Sequence, residues 1–304
     1  MSDMARAWLH VQLGSTDWEA AQRFYVSTFG LREVMRTSSA PKPDGSAWGI
    51  DGPQHSDALF LYDARGARTT VGIEIQAWHT PPVEGETYPM FHHVGFQGIG
   101  LLVRDLDATL ERAAQAGGTV VGVADTALLT EASRTAWLRD TDGVLVEVVE
   151  NRELPAESHL HRHILSCSDL EASIAFYEKL GFTRQATESA VDIAAWGPAL
   201  TGNVVADTAL LTLPAGGYAL LLVGWRTPAA VGRAYDKAYN RGLFRCALAT
   251  NDLSRALASI EGEGIPMNGP HTFELTGTKL PPLTICFLTD PDGVTVELVE
   301  RPLS

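Results

Sequence analysis

Thr16-Asp17-Trp18-Glu19, Phe24-Tyr25 and Phe29-Gly30-Leu31 in the first half of the chain are answered by Ser168-Asp169-Leu170-Glu171, Phe176-Tyr177 and Leu180-Gly181-Phe182 in the second. The offset is 152 residues, both from Asp17 to Asp169 and from Phe24 to Phe176. Later marks recur at nearly the same distance: Trp78 with Trp225, and Asp142-Gly143 with Asp292-Gly293. A repeat this long implies two homologous domains, since solenoid units run to only ~20–50 residues. Positions where the halves agree read as scaffold. Positions where they differ are the candidates for function.

Each half divides again. Residues 8–15 alternate like a strand and then open a helix at Thr16–Glu19, where the Thr16 hydroxyl is placed to cap and Glu19 to reach back. Ser168–Glu171 repeats the arrangement. The helices end at Gly30 and Gly181, residues suited to a left-handed stop. Strand-like stretches follow at 57–62 and 70–78, and again at 207–213 and 217–225. Further strand-helix units begin at 98–104 and 244–250, and both close on a turn (Asp140–Gly143, Asp290–Gly293) before an alternating strand. The pattern is four βαβββ modules, about 6–80, 95–150, 159–227 and 241–301. It predicts an α+β protein of two tandem domains with cupped mixed β-sheets flanked by helices. The domains are expected at 1–151 and 159–304, joined by a linker at 152–158 that holds Pro155.

Composition narrows the partners. A formal charge of −14 argues against nucleic acid and anionic membrane surfaces, which need basic patches. No apolar run is long enough to span a bilayer and no signal pattern opens the chain, so a cytoplasmic protein is expected. Cys167, Cys246 and Cys286 are odd in number, lie in apolar stretches and lack metal-type spacing, as buried reduced thiols do.

With Phe-Tyr and Phe/Leu-Gly in the first helix and Asp-Pro-Asp-Gly-x-x-x-Glu-Leu-Val-Glu at the end, the chain resembles the vicinal oxygen chelate superfamily. That family includes glyoxalase I, bleomycin-resistance proteins and extradiol dioxygenases. The resemblance implies paired modules forming a cupped sheet around a cavity, with metal ligands on the first and last strands of each module. The first-strand ligand stands seven residues before the helix-capping Asp, which points to His10, Gly98, Arg162 and Arg245. The last-strand positions are Glu74, Glu147, Leu221 and Glu297.

Strand parity supports part of this set. Leu9, Val11 and Leu13 make one apolar face, which leaves Trp8, His10 and Gln12 on the other. In 71–78 the alternation leaves Glu74, Gln76 and Trp78 together, and Glu147 falls on the cavity side of 144–150. A buried carboxylate is costly unless paired or metal-bound. Two carboxylates and an imidazole facing one space suit a divalent Fe, Mn, Ni, Co or Zn ion. They equally suit a metal-free network completed by Gln12, Gln76 or a buried water. Gly98 and Gly100 leave room for a substrate, or reflect close backbone packing. His92 and His93 lie just upstream, on a loop.

The second half reads as a partner. A guanidinium stays protonated and cannot ligate a metal, so Arg162 and Arg245 suggest a structural pair with Glu297 or an anion contact. Two module pairings are open: first with second, or first with fourth. Short connections favour the former, which joins His10, Glu74 and Glu147. In the latter, His10 and Glu74 meet Arg245 and Glu297 and Glu147 leaves the site, so His10 and Glu74 belong to it in either case. Trp8 and Trp78 would line it, while Phe60 and Tyr62 read as ordinary core.

The expected function is a metal-dependent enzyme acting on a small oxygenated, aromatic or polyketide-like metabolite by isomerase, lyase or dioxygenase chemistry. His10, Glu74 and Glu147 are its expected metal ligands and catalytic groups. The alternatives are a metal-free ligand-sequestering protein and a metal-independent cyclase or isomerase. A homodimer through open sheet edges is compatible with this organisation.

Overall fold

The computed structural model describes residues 4–38, 40–125, 128–129, 134–197, 200, 202–278 and 281–301. Module one comprises β1 (Ala7–Gly14), α1 (Trp18–Phe29), β2 (Arg32–Ser38), β3 (His55–Tyr62) and β4 (Gly72–Thr80). Module two comprises β5 (Gly95–Val103), α2 (Leu106–Gln115), β6 (Thr119–Ala124), β7 (Thr135–Arg139) and β8 (Leu145–Glu150). Module three has β9 (Ser158–Cys167), α3 (Leu170–Lys179), β10 (Thr183–Asp192), β11 (Val205–Thr212) and β12 (Ala219–Thr227). Module four has β13 (Gly242–Thr250), α4 (Leu253–Ser259), β14 (Met267–Phe273), β15 (Leu283–Thr289) and β16 (Thr295–Glu300). The α+β class and the four modules are as the repeats predict.

The helix starts differ from expectation by one residue. All four are capped by aspartate: Asp17, Asp105, Asp169 and Asp252 each accept a bond from the backbone N–H three residues on. The Thr16 and Ser168 hydroxyls are engaged elsewhere, donating to Asp142 and Asp292. The repeated Phe-Tyr and Asp-x-Asp-Gly marks are explained together. Tyr25 Oη donates to Asp140 Oδ2 at 2.9 Å, and Tyr177 Oη to Asp290 Oδ2 at 3.3 Å, so each turn anchors the helix of the preceding module.

The sheets pair the modules in the other way from that expected. One eight-stranded sheet runs β14-β15-β16-β13-β1-β4-β3-β2, joining modules one and four. The second runs β10-β11-β12-β9-β5-β8-β7-β6, joining modules two and three. Residues 81–94 and 228–241 are the crossovers that permit this. They lie side by side, with Glu84 N bonded to Tyr239 O at 3.0 Å and Val94 N to Val231 O at 2.8 Å. Tyr88 stacks on both His93 and Tyr235 between them. Each sheet thus takes one module from each half, joined through the β1–β13 and β5–β9 ladders. A single apolar core covers the helix-bearing faces, from Phe24 and Leu13 to Tyr177 and Leu248.

Candidate functional site

The concave face of the first sheet lines a cavity that opens to solvent. His10 comes from β1, Glu74 and Gln76 from β4, Arg245 from β13 and Glu297 from β16, so the floor is built where modules one and four meet. Trp48, Phe60 and Tyr62 of module one, with Phe273 and Ile285 of module four, are among its walls. Lys42 and Arg301 also border it.

Arg245 organises the floor. Its Nη2 donates to Glu74 Oε2 at 2.8 Å, its Nε to Glu297 Oε2 at 2.7 Å and its Nη1 to Gln76 Oε1 at 3.2 Å. Gln76 in turn donates to Ser56 Oγ at 3.1 Å, and the Trp48 ring lies 5.0 Å from the guanidinium carbon. His10 Nε2 stands 3.2 Å from Glu74 Oε2 and 3.8 Å from Glu297 Oε2, without the alignment of a hydrogen bond to either. Its ring meets Phe60 edge-on at 5.3 Å.

These contacts set the charges. Burial pulls the His10 pKa down, but the Glu74 and Glu297 carboxylates outweigh it and raise the group to about 9. Burial pushes Glu297 up, yet Arg245 and His10 bring it down to about 2. Glu74 is likewise lowered against its burial, chiefly by Arg245, and Arg245 is raised by the two carboxylates. At neutral pH the floor holds two carboxylates, one guanidinium and one imidazolium, which sum to zero.

This donor set does not fit a resident divalent ion. The guanidinium N–H groups sit between the two carboxylates that a metal would use, and an arginine offers no lone pair. The Glu74 and Glu297 carboxylates also favour the protonated His10 ring, so an ion there would have to displace that proton. A doubly charged ion would also face Arg245 at close range. The expectation of a metal on His10, Glu74 and Glu147 therefore does not match the residues brought together.

Several other sequence-derived residues lie elsewhere. Glu147 belongs to the second sheet, where it forms a fully buried pair with Arg162: Nε to Oε2 at 2.7 Å and Nη2 to Oε1 at 2.5 Å. Trp196 Nε1 also donates to Glu147 Oε1 at 2.8 Å, and Trp137 lies T-shaped against Trp196. Phe91, Trp137, Trp196 and Leu221 pack over this second floor. Gly98 and Gly100 are in the same sheet and leave no vacancy. A Cβ on Gly100 would lie 2.8 Å from Arg162 Cγ and 2.9 Å from Glu147 Oε2, and one on Gly98 would lie 2.9 Å from Leu145 O.

Trp8 is on the opposite face from His10. The β1–β13 register shifts between Trp8 and His10, a bulge that puts Leu9 into the cavity wall and sends Trp8 toward Phe182 and Tyr218 in the helix-side core. Trp78 supports the wall from behind, edge-on to Trp48 at 5.9 Å. Gln12 is fully buried, and its amide has no hydrogen-bond partner among the described residues. His93 stacks on Tyr88, and His92 lies edge-on to Trp225, so both serve the crossover packing. Phe60 and Tyr62, read as plain core, line the cavity. Arg245 and Glu297 stand at ligand positions in the sequence, and the pairing of module one with module four brings them to this site.

Family models described as glyoxalase/bleomycin resistance protein/dioxygenase superfamily match residues 9–132 and 159–298. No curated protein matches the chain in sequence. Among solved structures, glyoxalase I from Zea mays superposes with a TM-score of 0.69 at 19% identity, covering 97% of this chain and 92% of that one. A candidate dioxygenase from Bacillus subtilis superposes with a TM-score of 0.61 at 13% identity, covering 99% and 87% respectively. These likenesses are of fold.

Proposed function

The chain belongs to the glyoxalase/bleomycin resistance protein/dioxygenase superfamily, and from that premise we infer a metal-independent enzyme that moves a proton on a small oxygenated metabolite. The cup between modules one and four is its site. The observation that carries this reading is the neutral quartet of His10, Glu74, Arg245 and Glu297 on the floor of a cavity whose walls carry Trp48, Phe60, Tyr62 and Phe273 alongside Lys42 and Arg301.

Proton transfer needs a group that can change state. Arg245 is fixed as a cation, and Glu74 and Glu297 are held low, so His10 is the proton carrier of the quartet. Its imidazolium donates to a carbonyl or hydroxyl oxygen of the substrate. On a carbonyl substrate the neutral imidazole left behind takes the proton from the adjacent carbon, which gives the enol of an isomerisation. On a hydroxyl substrate the C–O bond breaks, water leaves and the imidazole takes the proton from the neighbouring carbon, a lyase step. The two carboxylates stabilise the ring's charged form. Arg245 performs the charge-balancing that a metal would otherwise supply, and chemistry that depends on a resident ion, dioxygenation included, is not served by this donor set. The walls of Trp48, Phe60, Tyr62 and Phe273 suit a flat, aromatic-sized ligand.

The test is a thermal-shift screen of oxygenated aromatic and polyketide-like compounds on chelator-treated protein. Solvent deuterium incorporation into each binder is then followed by NMR. The reading expects binding that survives chelator, and exchange that is lost in His10→Ala. Binding without exchange would identify a sequestering protein instead. Binding only after metal addition at the cup would overturn the reading altogether.

A further inference from the structure

On the face of β3 and β4 opposite the cup, three potential ligands converge. Gln54, Ser56, Ala58 and Phe60 line the cavity, so His55 and Asp57 alternate to the outer face. Asp57 pairs with Ala77 across the hairpin, which brings His79, two residues further along β4, to the same side. His79 Nε2 lies 3.0 Å from Asp57 Oδ2, and the His55 and His79 rings are 4.7 Å apart. One ligand atom from each of the three lies within 4.8 Å of the others. Asp57 Oδ1 is buried and has no hydrogen-bond partner among the described residues.

We propose that His55, Asp57 and His79 form a binding site for one borderline divalent cation of the zinc class. Two imidazoles and a carboxylate are a donor set of that class, with a fourth position left for water. Bonds of ~2.0–2.2 Å place the ligands of a tetrahedral ion roughly 3.3–3.5 Å apart. The His79–Asp57 separation is already near that value, and a side-chain rotation of His55 closes the rest. The nearby cation, Arg36, is engaged by Glu33 and by the Trp18 ring, so it does not fill the place of the ion. His79 is 43% exposed in its side chain, which gives the ion an entry path. Bound there, the ion would tie the end of β3 that carries Ser56 to β4. This site is separate from the cup and does not depend on the function proposed for it.

The experiment is calorimetric titration of the chelator-stripped full chain with zinc chloride, beside His55→Ala/His79→Ala and His10→Ala variants checked for folding by circular dichroism. One equivalent of zinc is expected in the wild type and in His10→Ala. In the double variant the affinity should fall by more than about a hundredfold, beyond what loss of an outer-shell partner causes. Zinc should raise the melting temperature of the wild type and not that of the double variant. No zinc uptake by the wild type, or unchanged uptake by the double variant, would overturn the site. Uptake lost in His10→Ala instead would place the ion in the cup and overturn both this site and the metal-free reading.

Discussion

Replacing Arg245 with methionine keeps the aliphatic bulk and removes the guanidinium from between Glu74 and Glu297. Both carboxylates are buried, and Arg245 holds each at 2.7–2.8 Å. Breaking a buried pair by removing one partner costs roughly 3–5 kcal/mol, because the abandoned charge cannot reach water. His10 remains 3.2 Å from Glu74 and still balances one carboxylate, so the loss belongs mainly to Glu297. In the wild type the Glu297 pKa lies below its unfolded value, at about 2. Its stabilising contribution is therefore complete above the unfolded pKa near 4.5 and is lost as pH falls toward 2. Without Arg245, burial dominates and Glu297 protonates more readily. The deficit of Arg245→Met should thus be about 3–5 kcal/mol at pH 8 and smaller at pH 5. Urea unfolding at the two pH values measures it, and Arg245→Met/Glu297→Gln should recover a large part by removing the unpaired charge. A deficit below about 1 kcal/mol, or one that does not change with pH, would refute the assignment of Arg245 as the organiser of the floor.

Three further outcomes follow from the same geometry. Arg245→His, made in a His79→Ala background to silence the outer site, should gain cobalt binding with ligand-field bands that the Arg245 parent lacks. Trp8→Ala should cost about 3–5 kcal/mol by opening a cavity in the helix-side core, while ligand affinity in the cup stays unchanged. Gly100→Ala should cost about 1–3 kcal/mol by overpacking, since its methyl would press on Arg162 and Glu147. Again cup binding should be preserved, because that pair lies in the second sheet.

The modular fold was legible because the repeats mark the same structural jobs: an aspartate cap and a helix four times, and a turn that holds a neighbouring helix twice. Strand parity located Glu74 and Gln76 correctly, because alternation within a regular strand is a local property. It failed for Trp8, where one bulge reverses the faces, and a bulge leaves no periodic trace in a single strand. Glu147 was placed on the right face of β8, but of a sheet that does not contain His10. That error is one of pairing: module one shares its sheet with module four through the β1–β13 ladder, and the contacts of Glu84, Tyr88, Val94, Val231 and Tyr235 hold the two crossovers side by side. No strand pattern encodes those contacts. The chemical consequence is large, since exchanging Glu147 for Arg245 and Glu297 turns an apparent metal-ligand set into a closed charge quartet.

The central claim is that His10 is an imidazolium stabilised by the charge of two nearby carboxylates and poised as the proton carrier of the cup. Its titration, followed by NMR of the labelled imidazole from pH 5 to 10.5 with His10→Gln for assignment, tests this most directly. A pKa of about 9 is predicted, and it should fall in Glu74→Gln. Because the folded value lies above the unfolded 6.5, the stability this histidine contributes should be complete below 6.5 and lost as pH rises through 9. A pKa at or below 6.5, unmoved by Glu74→Gln, would show a neutral ring and contradict the account.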